Sequence, residues 1–127
     1  MKYLILLCLG LFIISCEKYD EDVLPVIGVY EANIVGEGGP FSISVSSDFG
    51  NNILIDAPWD GENWFVAEAR VTNEFDFEKD LRVKNQEIEN GVRLSGDGIF
   101  FDYSIQLDYT IRIDGVRHDF TLVGTKL

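Results

Sequence analysis

The chain has 127 residues, a net charge of −12, two cysteines and a single histidine. An acidic balance this strong excludes nucleic acid and anionic membrane surfaces as electrostatic partners, because both would be repelled. One histidine and two cysteines leave little material for a metal set, a thiol nucleophile or a catalytic triad.

The first fifteen residues read as a leader. Met1-Lys2 is a short basic start, and residues 3–14 are almost wholly apolar. A bilayer core takes ~20 helical residues, so this run is too short to span one and fits a secretory signal instead. The segment closes on Ile13-Ile14-Ser15-Cys16, which resembles the lipobox of bacterial lipoproteins. That resemblance implies cleavage after a small residue and a diacylglyceryl group on the Cys16 thiol. An ordinary secretory leader with an incidental cysteine is the alternative. Cys8 would leave with the leader, so the mature domain would hold no disulfide and depend on its core. Residues 16–25 then form a lipidated acidic tether, from Glu17-Lys18-Tyr19-Asp20 to Pro25. A lysine followed by acids just after the cysteine resembles the surface-export signal of Bacteroidota lipoproteins. It implies an outer-membrane anchor displayed at the cell surface, with the periplasmic face as the alternative.

Residues 26–127 are written in period two, the mark of strands with one buried face. The first strand spans about residues 27–35, with Gly28, Tyr30, Ala32 and Ile34 on one side. Gly36, Gly38 and Gly39 before Pro40 read as turn material. Ser42, Ser44 and Ser46 form the wet face of the second strand. A three-residue loop, Asp48-Phe49-Gly50, would set Val45 opposite Ile53 and Ile43 opposite Ile55. Residues 64–72 turn Phe65, Ala67, Ala69 and Val71 inward. Residues 73–80 fit a strand extension, a loop or one helical turn, and their alternating acids would keep an edge soluble. A strand over 81–88 leads to Glu89-Asn90-Gly91, where a three-residue loop pairs Ile88 with Val92 and Gln86 with Leu94. In residues 92–101 the apolar parity shifts across Gly96-Asp97-Gly98, as a glycine-marked bulge would make it. Residues 104–114 alternate without a fault. Asp114-Gly115 supplies a two-residue turn, pairing Ile113 with Val116, Ile111 with His118, Tyr109 with Phe120 and Leu107 with Leu122.

Eight strands joined mostly by hairpins predict an all-β, antiparallel meander barrel, with a two-sheet sandwich as the alternative. The order of a glycine-x-aromatic first strand (Gly28-Val29-Tyr30), a strand ending near Gln86, Gly96-x-Gly98 and two closing strands resembles the lipocalin-like small lipoproteins of Bacteroidota. That resemblance covers most of residues 26–127, although lipocalins usually carry tryptophan where this chain has Tyr30. It implies a barrel that holds a small apolar ligand and performs no catalysis.

On that reading Tyr30, Phe65, Tyr109, Phe120 and Leu122 line the interior, and His118 sits near the rim. Trp59 and Trp64 flank Asp60-Gly61-Glu62-Asn63, where two indoles around a polar loop would suit a sugar. The competing reading has Trp64 packing on the barrel and Trp59 capping its end. The spacing of Asp56, Asp60 and Glu62 matches no EF-hand loop, and no metal or other cofactor is expected. Nor does a helix follow Gly96-x-Gly98 to receive a phosphate. Two functions remain open. One is a non-catalytic, membrane-anchored carrier of a small apolar molecule. The other is a solid barrel that meets an envelope protein or glycan through its loops or acidic outer face. Interior volume separates them, a cavity of ~300 Å³ or more favouring the carrier.

Overall fold

A computed structural model describes residues 21–72 and 78–127, which fold as eight antiparallel strands closed into a meander barrel. The strands are β1 (Gly28–Ile34), β2 (Gly38–Ser47), β3 (Asn52–Ala57), β4 (Phe65–Val71), β5 (Glu78–Glu89), β6 (Val92–Phe101), β7 (Ser104–Ile113) and β8 (Val116–Lys126). Closure runs through β1 and β8, where Tyr30 faces Lys126 and Ile34 faces Leu122. The expected leader, Cys16 and the tether as far as residue 20 lie outside the described residues, as do residues 73–77. Of the ambiguous 73–80 segment, Glu78 onward is strand.

Alternation decides which side chains turn inward. Along β7, Ile105, Leu107, Tyr109 and Ile111 are buried, while Gln106, Asp108 and Arg112 are exposed. The same rule buries Ala32, Ala67, Ala69, Ile43, Ile55 and Leu94 and leaves Ser42, Ser44 and Ser46 wet. A membrane-spanning barrel has the opposite polarity, apolar outside and polar within.

The β7–β8 hairpin has the register expected of it, from Ile113 opposite Val116 to Leu107 opposite Leu122. The β2–β3 hairpin does not. Val45 faces Ile55 and Ser47 faces Ile53, two residues away from the expected pairing. Asparagines enlarge the loop: the Asn52 backbone carbonyl accepts from Asp48 N–H at 3.0 Å, and the Asn52 amide donates to the Phe49 carbonyl at 2.7 Å. A slip of two conserves the faces, so the buried set is unchanged. At the next correction, Glu89 faces Val92 across a two-residue Asn90-Gly91 turn, and a register shift between Glu87 and Glu89 restores Gln86 opposite Leu94. Gly38, Gly39 and Pro40, expected in a turn, belong to β2.

No bulge interrupts β6 opposite β7. The ten pairs from Val92–Ile113 to Phe101–Ser104 are continuous. Gly96 and Gly98 are there for space, because a Cβ on Gly96 would come within 2.6 Å of Tyr109 Cα and would collide with the Asp108 carbonyl. The irregularity lies in β5, between Val83 and Gln86, where the β4–β5 ladder stops after Ala69–Val83. Gln86 takes over from the backbone. Its amide accepts from Glu68 N–H and donates to the Glu68 carbonyl, both at 2.8 Å, which satisfies groups that the bulge would orphan.

Both ends of the barrel are stoppered. At one end a 3-10 turn, Glu21–Val23, carries Val23 and Val26 to full burial. Tyr30 Oη donates to the Val26 carbonyl at 2.5 Å, and Lys126 Nζ to that of Pro25 at 3.0 Å. At the other end stands Trp59, fully buried.

Candidate functional site

The β3–β4 connection positions Trp59. Pro58 and Gly61 close a tight turn, with Gly61 N–H donating to the Pro58 carbonyl at 2.8 Å. Gly61 has φ +91°, in the region that glycine adopts without a Cβ penalty. The turn swings the indole into the barrel mouth, where Nε1 donates to the Phe65 carbonyl at 2.9 Å. Tyr109 meets it edge-on at 5.0 Å and donates its hydroxyl to the Trp59 carbonyl at 2.5 Å. Phe120 stacks on Tyr109 at 5.6 Å. Burial pushes the Tyr109 hydroxyl well above the usual phenol range, and the carboxylates of Asp60 and Glu37 push it further. It therefore stays protonated and keeps donating. Burial likewise raises Tyr30.

The residues expected to line a ligand chamber thus sort into two groups. Trp59, Tyr109 and Phe120 form one aromatic plug at the Trp59 end, which the Phe65 backbone carbonyl helps to fix, and Tyr30 fastens the opposite stopper. Trp64 is 48% exposed, outside the plug, with its ring edge-on to Phe41 at 6.4 Å. The two indoles therefore share no open face on which a sugar could stack. Trp59 caps the barrel end, and Trp64 packs on Phe41 at the surface. His118 faces Ile111 as expected, but it is exposed near the β7–β8 tip.

Asp60 organises its own loop. Oδ1 accepts the backbone N–H groups of Glu62 and Asn63, at 2.9 and 2.6 Å, and Oδ2 accepts the Asn63 amide at 2.8 Å. Burial works to raise its pKa, but the bonds from Asn63 and Glu62 prevail and hold the carboxyl below the usual range. A depressed pKa contributes stability that is present above the unfolded value, near 3.8, and lost as pH falls through the folded one. Asp60→Ala should therefore cost about 1 kcal/mol at pH 7, discounted for the solvent around this loop. Urea titrations at pH 7 and pH 3 would check this, with the gap between parent and variant narrowing at the lower pH.

A second concavity went unnoticed in the sequence. An open groove of about 860 Å³ lies on the outer face of β5 to β8, in the half nearer the Trp59 end. Three rows of side chains cross it. Arg112 and Arg117 face each other, and beyond the groove Arg93 stands opposite Arg112 with Glu87 on its other side. Next come Ser95, Thr110 and Asp119, and then Arg82, Asp97, Asp108 and Thr121. Thr121 Oγ1 donates to Asp108 at 2.7 Å. Asp119 accepts from Thr110 Oγ1 at 2.7 Å and from Arg117 Nε at 2.9 Å. Those two bonds, with Arg117 and Arg112 nearby, hold the Asp119 carboxyl below the usual range. The signal was already available. The β7–β8 register, read from apolar residues alone, also aligns Arg112 with Arg117 and Thr110 with Asp119.

Comparison of the chain with protein families, curated proteins and solved structures finds no match.

Proposed function

We propose that this chain is a lipoprotein anchored through Cys16, whose solid barrel serves as a non-catalytic interaction module at the outer membrane. The apolar core, buried throughout and stoppered at both ends, supports this reading over the apolar carrier. Among the residues expected to line a chamber, Tyr30 and Tyr109 spend their hydroxyls on the stoppers, and Trp59 occupies the mouth. Gly96 and Gly98 lie under β7 rather than beside free space, since a Cβ on either would meet Tyr109 or Leu107. Recognition then belongs to the outside, and the concave outer groove is the surface suited to an envelope protein or glycan. The lipobox leader supports the anchor, and the acidic tether after Cys16 supports display at the cell surface.

One measurement addresses both parts. Native mass spectra of the full chain, purified from bacterial membranes in detergent, should give a polypeptide beginning at Cys16 with covalent acyl groups and no other adduct. A chain retaining residues 1–15, or cleaved there without acyl mass, would remove the anchor. A discrete noncovalent mass lost on denaturation would restore the carrier.

A further inference from the structure

We infer that the tether-side rim of the barrel rests in the bilayer interface, with Leu24, Phe49, Tyr103 and Leu127 dipping into a zwitterionic lipid surface. This rests on the anchor at Cys16 and adds the face that the protein turns to its membrane.

Apolar side chains stand out from this rim at each of its described connections. Phe49 lies in the β2–β3 loop, Tyr103 in the β6–β7 turn, Leu24 ahead of β1 and Leu127 after β8, and all four are 49–75% exposed. The β2–β3 and β6–β7 connections lie across the barrel from each other, with the β8–β1 seam between them. Leu127 is held at that seam by its N–H, which donates to the Val29 carbonyl at 2.9 Å. Three places on one circle define a plane across the barrel axis. The far rim has exposed aliphatics, Val35, Ile113 and Val116, but its hairpin tips, Asn90-Gly91 and Asp114-Gly115, are ordinary turn residues.

Tyr103 is the most telling of the four. The Asp102-Tyr103 turn has φ +49° and +62°, and Asp114-Gly115 repeats that form at +49° and +83°. A tyrosine in the left-handed region carries backbone strain that glycine avoids. Its ring stays in solvent, and its hydroxyl donates no hydrogen bond to any described residue. A bilayer interface serves both ends of such a side chain, the ring in the acyl boundary and the hydroxyl among headgroups. Reach selects lipid as the occupant. Glu21 lies five residues from Cys16, and a chain spans at most ~3.6 Å per residue, so this rim stays within ~18 Å of the lipidated cysteine. Charge selects the kind of lipid. Glu21, Asp48 and Asp102 are exposed beside these residues, with Arg70 one residue inside the rim on β4. Anionic headgroups would be repelled by those acids, and zwitterionic ones would not. Seated this way, the Trp59 end points away from the membrane.

The test uses the full chain, carrying Trp64→Phe, in vesicles of phosphatidylcholine brominated on its acyl chains. That background leaves Trp59 buried at the far end as the only native indole. Tyr103→Trp and Phe49→Trp should each add emission that the brominated lipid quenches. Val116→Trp, exposed on the far rim, should add emission that it does not quench. Tyr103→Gly should melt no lower than the parent, because glycine takes the turn without strain. Rim tryptophans quenched no more than Val116→Trp would overturn the inference. So would a marked fall in melting temperature of Tyr103→Gly, by making the ring structural. An unquenched rim in a preparation whose native mass is a dimer would give the rim to a second copy instead. Mass spectra of the same preparation keep the two readings apart. An acylated chain with an unquenched rim removes this inference and leaves the anchor, whereas a chain without acyl groups removes both.

Discussion

Trp59→Ala is expected to cost about 3–5 kcal/mol of folding stability, the range for truncating a large buried aromatic whose site cannot collapse. The indole is fully buried and bonded through Nε1 to the Phe65 carbonyl. Its neighbours cannot easily fill the space it leaves. Tyr109 is fixed by its hydroxyl bond to the Trp59 backbone, and Phe120 is stacked on the far side of Tyr109. The variant would keep that backbone carbonyl but lose the edge-on ring contact at 5.0 Å. It would also open the one mouth of the barrel that the N-terminal stopper does not close. Two readouts should move together: a lower urea midpoint, and new binding of a small apolar dye. Trp64→Ala is the internal control. With Trp64 half-exposed, its loss should cost under about 1 kcal/mol. Since the chain has two tryptophans, that control leaves Trp59 as the sole indole emitter, and its emission should be blue-shifted until the barrel unfolds. A Trp59→Ala protein as stable as its parent would mean that the plug is ornamental and the interior adaptable.

Apolar alternation and turn chemistry made much of this fold legible. Residues 104–122 gave both faces and the full β7–β8 register, because an Asp-Gly turn and an unbroken period of two agree with each other. The misses share a cause. Side-chain amides alter connections in ways that an apolar pattern does not record. Asn52 enlarged the β2–β3 loop, and Gln86 stood in for backbone beside the β5 bulge. Parity misled at β6 for a related reason. Phe101 is half-exposed and Ile99 only partly buried, so the outward face carries apolar residues that look like an inward one. The site was legible only in part. The aromatic residues were named, and Trp59 as a cap on the barrel end was one of the two readings of its loop, but the sequence did not show that Trp64 would stand half-exposed. The Arg112–Arg117 pair was hidden by attention to the buried face. Once apolar pairs set a register, the polar pairs are set with it, and the chemistry of the outer surface can be read from the same alignment.

Gly96→Ala is the second substitution with a large expected effect, about 3 kcal/mol or more, and it isolates packing from backbone strain. Gly96 lies inside a regular strand pair, opposite Tyr109, and is not among the glycines with positive φ. Adding a methyl group there would not strain its own dihedrals. The cost comes from what the methyl meets: the Asp108 carbonyl, and Tyr109 Cα and Cβ at 2.6 Å. Most of those atoms are backbone, which cannot rotate aside, so β6 and β7 would have to separate. Separation would strain the bond from Tyr109 to Trp59 and so loosen the plug from behind. Gly115→Ala provides the contrast. Gly115 sits at φ +83° in the β7–β8 turn with nothing within 4 Å of an added Cβ. Its variant pays only the left-handed backbone cost, about 1 kcal/mol. Urea titrations of the two variants should therefore differ by about 2 kcal/mol or more, with Gly96→Ala the weaker.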